Sequence, residues 1–223
     1  MGVYERRILP WLLDLAMRQQ MLEPHRRRIV AKAAGRELEI GVGSGLNLPL
    51  YGAAAREIIG LDSSPELLDR ARQAARRAGD RVTLIDGSAE ALPVEDRSVD
   101  TVLTTWTLCS IRDVARALGE VRRVLRPGGQ LLFVEHGLAP DASVARWQDR
   151  LTPLWRRLAG GCHLNRPIGA LIAEAGFAIE ELETGYIEGP KALTFTYEGR
   201  ARMTHRSDLQ ARLKPGPTSR RLD

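Results

Sequence analysis

The stretch LEIGVGSGLNLPLY, residues 38–51, joins a short apolar run to three glycines, Gly41, Gly43 and Gly45. A strand followed by a glycine turn is typical of a backbone that approaches a ligand closely. This turn differs from the dinucleotide pattern G-x-G-x-x-G, because its third glycine comes one residue early and Leu46 stands in the expected place. The stretch therefore predicts a ligand site at the end of a strand, for a ligand other than a dinucleotide.

Carboxylates on both sides of the turn indicate what kind of ligand it holds. Glu39, two residues before Gly41, would repel a pyrophosphate and suits a cationic group instead. Asp62 ends the next apolar run, where a carboxylate typically accepts hydrogen bonds from ribose hydroxyls. Asp86 ends a third run and can accept from an exocyclic amine, while Ala89 can offer its backbone to an adenine edge. These positions predict a nucleoside that carries a cationic group.

Short β-type runs alternate with helical runs between residues 37 and 135. Alternation at this spacing predicts right-handed βαβ units and a parallel sheet covered on both faces. Two further strand-like runs, residues 178–188 and 192–202, are separated only by a short Gly-Pro turn, so they must pair antiparallel. We predict an α/β fold with a Rossmann-like seven-stranded sheet, mostly parallel with a C-terminal antiparallel hairpin, plus an N-terminal helical lid.

The composition narrows the class of protein. A chain of 223 residues with 43% hydrophobic and 27% charged residues favours one large globular domain with extensions. Cys109 and Cys162 form no C-x-x-C pair and no metal-ligand spacing with the four histidines, so neither a disulfide framework nor a metal site is expected. No signal-peptide pattern and no apolar run of membrane-spanning length occurs. A reducing, cytoplasmic location is the default expectation.

The net charge of +5 comes mainly from the C-terminal end of the chain. Residues 199–223 hold seven Lys and Arg against two Asp, whereas the rest is near neutral. A basic terminus is most often a solvated tail, and this one lacks the interleaved aromatic residues of nucleic-acid-binding segments. No nucleic-acid partner is therefore expected, and peripheral contact with an anionic membrane stays open.

The motifs together resemble the class I S-adenosylmethionine (SAM)-dependent methyltransferases, in particular the methyltransferase type 11 domain of ubiquinone and phospholipid methyltransferases. The resemblance rests on LEIGVGSG, GLDSSPELLDRAR, DGSAEALP, SVDTVLTTWTLCSI, EVRRVLRPGG and the closing hairpin, in this order. It implies SAM as cofactor and S-adenosylhomocysteine (SAH) as product. The cofactor-binding residues that it implies are Glu39, Gly41, Gly43, Gly45, Asn47, Asp62, Ser63, Asp86, Gly87, Ser88, Ala89, Thr105 and Trp106.

The resemblance also assigns a part of the cofactor to each group of residues. The three glycines would wall the methionine and ribose parts, and Glu39 would support the amino group, directly or through water. Asp62 would hold both ribose hydroxyls with Ser63 beside it. The segment after the third run would address the adenine, and residues 105–107 would face the methionine end.

Sequence segments outside the cofactor motifs indicate the class of methyl acceptor. Residues 135–168, together with YERRILPWLLDLAM and WTLCSI, resemble the methyltransferase-like family that includes membrane-associated alkyl thiol methyltransferases. IGVGSGLNLPLY also resembles bacterial phospholipid N-methyltransferases. The Asn/Asp-Pro-Pro-Tyr/Phe signature of base and glutamine-amide methyltransferases is absent, since TTWTLCS stands in its place. A small, lipophilic acceptor, with a thiol favoured, is the acceptor that these resemblances imply.

Each residue predicted to lie near the acceptor can have either a chemical or a structural role. Cys109 after the fourth strand is either a small core residue or part of the chemistry, and His136 and Glu135 after the fifth strand lie where acceptor chemistry usually happens. We list these three residues as candidate catalytic groups. Candidate contacts to the acceptor are Tyr4, Trp11, His163 and Arg166, of which the last two can equally serve as loop scaffolding.

Taken together, the motifs divide the chain into a lid, a catalytic domain and a tail. Residues 1–36 form a helical lid or substrate cap, residues 37–203 the SAM-binding domain with an insertion at 137–166 near the acceptor site, and residues 204–223 a basic tail. The favoured function is methyl transfer from SAM to a small molecule by in-line displacement. The alternatives are a phospholipid or other small-molecule N- or O-methyltransferase, an RNA-binding or RNA-modifying protein, and a binding protein that has kept SAM without catalysis.

Overall fold

The strand that carries the glycine turn lies near the middle of a seven-stranded sheet in the computed structural model, which describes residues 8–204. The strand order is β3-β2-β1-β4-β5-β7-β6. The strands are β1 (Gly35–Ile40), β2 (Ala55–Asp62), β3 (Val82–Asp86), β4 (Val99–Thr105), β5 (Leu125–His136), β6 (Phe177–Tyr186) and β7 (Phe195–Met203). The helices are α1 (Leu9–Met17), α2 (Glu23–Val30), α3 (Pro65–Ala78), α4 (Val114–Val124), α5 (Ala142–Leu158), α6 (Ile168–Glu174) and α7 (Lys191–Thr194).

The direction of strand pairing confirms the predicted fold class. β1 pairs parallel with both β2 and β4, and the parallel order continues to β3 on one side and β5 on the other. β7 runs antiparallel to both β5 and β6, as predicted for the closing hairpin. Because the strand order reverses between β1 and β4, the switch point where open α/β sheets bind ligands lies at the carboxyl end of β1.

The two faces of β1 differ in chemistry. Leu38 and Ile40 are buried in the apolar core on one face. Glu37 and Glu39 alternate with them and are also buried, on the face that carries Tyr51. Two buried carboxylates on one strand are uncommon, because burial penalises their charged form.

Local sequence determines where α2 and α3 begin. The Ser64 side chain accepts a hydrogen bond from the backbone N–H of Leu67 at the start of α3, with Pro65 as the first helical residue. α2 begins at Glu23, one residue before Pro24, because a proline in the first turn of a helix costs no hydrogen bond.

Two connections differ from the sequence prediction. The run VARALGEVRRVLRPGG predicts a helix that stops at its glycines, but α4 ends at Val124, and β5 begins directly at Leu125 and includes Gly128 and Gly129. A Cβ at Gly129 would lie 3.0 Å from the carbonyl oxygen of Asp100, so this close strand approach requires glycine. The connection between β6 and β7 is longer than a Gly-Pro turn, because it contains α7.

Parts of the sequence prediction lie outside the described chain. Tyr4 and residues 205–223 of the basic tail fall in segments that the structure does not describe. Within residues 8–204, none of the helices has the length and apolar character needed to cross a membrane. The division into lid, catalytic domain, insertion and tail remains a proposal.

Candidate active site

A cavity of about 860 Å³ opens at the carboxyl ends of β1, β2 and β4, between the sheet edge and α1. This is the switch point at which the sheet order reverses. Eight of the thirteen residues predicted to bind the cofactor line it, namely Gly41, Gly43, Asp62, Ser63, Gly87, Ala89, Thr105 and Trp106. The other five, Glu39, Gly45, Asn47, Asp86 and Ser88, do not line it.

The three glycines of the turn have left-handed φ angles for different reasons. Gly41, at φ +75°, approaches the side chain of Thr107 so closely that a Cβ would overlap it. Gly43, at φ +57°, has open space where a Cβ would project, with only the carbonyl oxygen of Gly41 at 4.0 Å. Gly45, at φ +80°, packs against α3, where a Cβ would lie 3.1 Å from the Cβ of Ala74. The early third glycine therefore serves helix packing, and Gly43 leaves a backbone cradle open toward the cavity.

Asp62 is fixed by the backbone of two loops. One carboxylate oxygen accepts from the N–H of Gly43 at 2.8 Å, and the other accepts from the N–H of Ser64 at 2.9 Å. Burial raises the pKa of Asp62, although these backbone hydrogen bonds favour its charged form. Each oxygen keeps a second lone pair, and Asp62 lines the cavity, so a vicinal diol of a ribose fits this group.

Only part of the segment predicted to bind the adenine lines the cavity. Gly87 and Ala89 line the cavity, whereas Asp86 and Ser88 are exposed outside it. Glu90 lines the cavity beside Ala89, and its carboxylate accepts from the N–H of Asp113 at 2.7 Å. Glu90 is therefore the acidic side chain that the structure brings to this wall.

Glu39 and Asn47 form a buried network behind the cavity. The side chain of Asn47 donates to Glu39 at 2.8 Å, and the Tyr51 hydroxyl donates to the other carboxylate oxygen at 2.9 Å. Arg26 donates to Asn47 at 3.0 Å and lies 4.9 Å from the centre of the Trp106 ring. Arg26 and Trp106 both line the cavity, so the network supports two lining residues rather than lining it directly.

Trp106 has an unusual backbone conformation, and Arg26 has a shifted pKa. Trp106 has a left-handed φ of 51°, a strained conformation that clusters at functional sites. Burial lowers the pKa of Arg26 to about 10, although the negative charge of Glu39 opposes the shift. The sequence did not single out Arg26, because it is one of three consecutive arginines on a short helix. The other two, Arg27 and Arg28, are exposed.

The buried Glu39 predicts a measurable dependence of stability on pH. Burial raises the pKa of Glu39 to about 7 from 4.5, although Tyr51 and Asn47 donate hydrogen bonds to it. The native state therefore binds this proton more tightly, and its contribution to stability is complete below pH 4.5 and lost as pH rises through 7. Between pH 4 and 8, ligand-free wild type should lose about 3 kcal/mol more unfolding free energy than Glu39→Gln, measured by urea denaturation. The exposed Glu57→Gln is the matched control, and a Glu39→Gln profile parallel to wild type would contradict the assignment.

α1 covers the cavity with an apolar face. The residues that line it from this helix are Leu9, Pro10, Leu13, Asp14 and Met17. The carboxylate of Asp14 accepts from the hydroxyl of Ser44 in the glycine turn and from Arg70 of α3 at 3.0 Å. Trp11 is 53% exposed and does not line the cavity, so the structure does not bring it to the site.

The contacts of Asp14 predict that it fastens α1 over the cavity. Asp14→Ala removes both hydrogen bonds that tie the helix to the turn and to α3. We expect SAH to dissociate about tenfold faster from this variant, measured by stopped-flow displacement, because one to two kcal/mol of closure is lost. Asp69→Ala, which removes an exposed carboxylate paired with Arg72, should leave the rate unchanged. An unchanged rate in Asp14→Ala would show that α1 is held by its apolar contacts alone.

The candidate catalytic residues lie together behind the cavity wall. Glu135, His136 and Cys109 are buried and do not line the cavity. A carboxylate oxygen of Glu135 accepts from the N–H of Thr107 at 3.1 Å, and burial raises the pKa of Glu135 to about 7 although backbone hydrogen bonds oppose the shift. Thr107 lines the cavity, so Glu135 supports this wall from behind.

His163 and Arg166 hold the loop that follows β4. The backbone N–H of His163 donates to the carbonyl of Cys109 at 2.8 Å. The guanidinium of Arg166 donates to the carbonyls of Leu108 and Ile111. Neither residue lines the cavity, and their contacts are those of loop scaffolding.

The residues that line the cavity fit SAM. Asp62 offers acceptors for a ribose diol, Ala89 and Gly87 border a space for a flat ring, and Gly43 leaves room for a nucleoside against the backbone. A Cβ at Gly43 would fill that room. The lining includes Asp14, Asp62, Glu66 and Glu90 against Arg26 and Arg112, an acidic balance that suits a sulfonium and an ammonium group better than a pyrophosphate.

Comparison with known proteins supports the same reading. Residues 38–133 match the family described as "Methyltransferase domain". A rat protein named thiol S-methyltransferase TMT1B is 33% identical over 150 residues, covering 66% of this chain and 61% of the rat protein. A phosphatidylethanolamine N-methyltransferase of Cereibacter sphaeroides is 36% identical over 119 residues, covering 51% of this chain and 58% of that protein. The chain thus spans about three fifths of the length of the curated relatives it matches.

A solved structure shows the same architecture. The structure of a SAM-dependent methyltransferase from Thermotoga maritima, described as a possible histamine N-methyltransferase, aligns with a TM-score of 0.63 at 24% identity. The alignment covers 89% of this chain and 97% of that chain, so the fold is shared along nearly the whole domain. The chain carries a methyltransferase domain with the fold of the SAM-dependent methyltransferases, and SAM is the cofactor that these comparisons support.

Proposed function

We propose that this protein transfers the methyl group of SAM to a small, lipophilic acceptor, with a thiol favoured. The observation that carries the proposal is that one cavity joins the open backbone cradle at Gly43 and the carboxylate of Asp62 to an apolar cover formed by α1. A cofactor and an acceptor can therefore lie side by side in one space, and an acceptor that closes it under α1 would exclude water. Such a space strengthens electrostatic interactions around a sulfonium.

The reaction is an in-line displacement at the methyl carbon. The acceptor sulfur forms a new bond to this carbon while the bond from the carbon to the sulfonium sulfur breaks, and the electron pair stays on SAH. The acceptor's proton leaves to solvent or to a base, and a thiol needs less help than an alcohol because thiols are the stronger acids. The protein's main task is to hold the nucleophile about 3 Å from the methyl group, on the side away from the leaving sulfur.

The wall around the acceptor end favours an apolar molecule. Leu9, Leu13 and Met17 from α1 face Trp106 and Ile111 from the loop after β4. The hydroxyls of Thr105, Thr107 and Ser110 line the same end, together with the charged side chains of Asp14, Arg26 and Arg112. The apolar groups suit the alkyl or aryl part of a thiol acceptor, which does not need a charged partner.

Relatives support two acceptor classes to different extents. The rat relative is named a thiol S-methyltransferase and aligns over 150 residues. The bacterial relative is named a phosphatidylethanolamine N-methyltransferase, which favours an amine acceptor as the second candidate function, and it aligns over 119 residues. The longer alignment and the apolar lining together favour the thiol.

Turnover of a panel of acceptors tests the proposal. Methyl-labelled SAM is incubated with alkyl and aryl thiols, with phosphatidylethanolamine vesicles, with phenols and with transfer RNA, and label transfer and SAH release are measured. We expect transfer to thiols, with the rate per enzyme increasing with chain length at fixed low concentration, and none to RNA. Transfer to the phospholipid but to no thiol would replace the favoured acceptor by the amine, and SAH binding without transfer to any acceptor would favour a binding protein.

A further inference from the structure

Three side chains with soft ligand atoms meet beside the cavity. Cys109 follows β4, His136 ends β5 and Cys162 follows α5; we call them the Cys/His cluster. The two sulfur atoms lie 3.5 Å apart, and the sulfur of Cys162 lies 3.6 Å from Nδ1 of His136. One ligand atom from each residue lies within 4.8 Å of the other two. Sequence spacing did not predict this group, because its members lie 26 to 53 positions from one another.

The spacing of these atoms matches the edges of a tetrahedral metal site. With metal–sulfur bonds near 2.3 Å and metal–nitrogen bonds near 2.0 Å, tetrahedral angles put neighbouring ligand atoms roughly 3.5 to 3.8 Å apart. The two measured distances, 3.5 and 3.6 Å, fall at this value. The third pair, Cys109 and His136, lies within 4.8 Å, so an ion can be bound with shifts of up to about 1 Å. A disulfide requires the sulfur atoms to approach to about 2.05 Å.

Backbone contacts hold the cysteines in place before any ion binds. The N–H of His163, next to Cys162, donates to the carbonyl of Cys109 at 2.8 Å and so ties the two cysteine-bearing segments together. Arg166 fastens the loop of Cys109 from the other side through two carbonyls. His136 is fixed by the pairing of β5 with β7. A preformed site of this kind loses little chain entropy on binding.

The charges of the cluster can be balanced by a divalent cation. Nδ1 is the ring nitrogen of His136 that faces Cys162, so it is the atom that would bind the ion, and Nε2 would carry the ring proton. His136 is only 6% exposed, and a carboxylate oxygen of the neighbouring Glu135 is buried without a hydrogen-bond partner among the described residues. Two thiolates, a neutral imidazole and a divalent cation sum to zero charge, which suits a buried position.

We propose that Cys109, His136 and Cys162 form a binding site for a thiophilic divalent cation, Zn²⁺. Two thiolates and an imidazole select Zn²⁺ over Mg²⁺ and Ca²⁺, which prefer oxygen ligands. Three protein ligands leave a fourth position open for water or another ligand. Ser110, whose hydroxyl lies 3.6 Å from the sulfur of Cys109, lines the cavity, so a single side chain separates the cluster from it.

Cobalt substitution tests the site without any need for an assay of methyl transfer. The full chain is reduced, freed of metal with a chelator and titrated with Co²⁺, and thiolate-to-cobalt absorption is recorded before Zn²⁺ is added back. We expect an absorption band that saturates at one Co²⁺ per chain, together with intense visible bands of tetrahedral Co²⁺, and both should disappear when Zn²⁺ is added. Zinc content after reconstitution and dialysis should be close to one per chain.

Variants identify the ligands. Cys162→Ser and His136→Gln should each lose the tight Co²⁺ signal, and His163→Gln, a change at the neighbouring histidine outside the cluster, should keep it. Binding of SAH to each variant checks that it is folded, and the zinc content of wild type stands as a second measure if a variant is not. A reduced wild-type protein that retains no zinc and gives no thiolate band overturns the proposal, as does a band unchanged in His136→Gln. Oxidation of the two thiols to a disulfide, with no metal bound after reduction, would assign the pair to redox chemistry and overturn it as well.

Discussion

Asp62→Ala should weaken binding of SAH by at least about 100-fold, because charge-assisted hydrogen bonds to both ribose hydroxyls are lost. The same substitution removes the acceptors that fix the N–H groups of Gly43 and Ser64, at 2.8 and 2.9 Å. The ligand thus loses its partner, and the turn that forms the cradle loses its anchor. Isothermal titration calorimetry with SAH measures the affinity, and a thermal melt of the ligand-free variant measures the fold.

An exposed aspartate outside the cavity provides the control. Asp80 is exposed and does not line the cavity, so Asp80→Ala changes the net charge equally without touching the site. We expect its affinity for SAH to equal that of wild type. Equal affinities in Asp62→Ala and wild type would mean that the ribose lies elsewhere.

Gly43→Ala should bind SAH on the order of 100-fold more weakly while remaining folded. Among residues 8–204, the nearest atom to the new Cβ outside the adjacent residues is the carbonyl oxygen of Gly41, at 4.0 Å, so the described part of the ligand-free protein can accept the methyl group. The cost to the fold is the left-handed φ of +57°, about 1 kcal/mol. The ligand is affected more, because the Cβ would occupy the space against which the nucleoside lies.

Gly79→Ala separates backbone strain from occlusion of the cradle. Gly79 has φ +83° and, like Gly43, has no protein atom close to a new Cβ, but it follows α3 outside the cavity. Gly79→Ala should lose at least as much stability as Gly43→Ala in a thermal melt, because its φ of 83° with ψ of -171° is a conformation that only glycine adopts readily. Gly43→Ala alone should lose affinity for SAH. A Gly43→Ala variant that binds SAH like Gly79→Ala would contradict the proposed position of the cofactor.

Local patterns determined most of the fold, which is why it could be predicted. The alternation of strand-like and helical runs specified the parallel sheet, and the short link after residue 188 specified the antiparallel strand β7. Ser64 and Pro65 marked the start of α3 correctly because capping depends on adjacent residues. Gly43 and Asp62 were placed at the cavity for the same reason, since each stands at the end of a strand.

The rest of the site depends on contacts between distant elements. Asp14 meets Ser44 and Arg70 across 30 and 56 positions, and no local pattern encodes those pairs. Glu39 was predicted to support the amino group of SAM, but its side chain contacts Asn47 and Tyr51 behind the cavity. Successive side chains of β1 point to opposite faces of the sheet, and both faces are buried.

The orientation of α1 and the proximity of the two cysteines also depend on contacts between distant elements, which local sequence patterns do not encode. Trp11 lies on a helix of nine residues, and the face that such a helix presents is set by what packs against it. The residues of α1 that line the cavity are Leu9, Pro10, Leu13, Asp14 and Met17, which leaves Trp11 exposed. Cys109 and Cys162 come together only because the segment after α5 pairs with the loop after β4.

Calorimetric titration of the purified chain with SAH tests the central claim most directly, because SAH is the product that the cavity must hold if SAM is the methyl donor. We expect one SAH bound per chain in the micromolar range, with SAM competing for the same site. At the same protein concentration, Asp62→Ala and Gly43→Ala should give no measurable binding. A folded wild-type protein that gives no heat of binding with SAH or SAM, or SAH binding that both variants retain at full affinity, would contradict it.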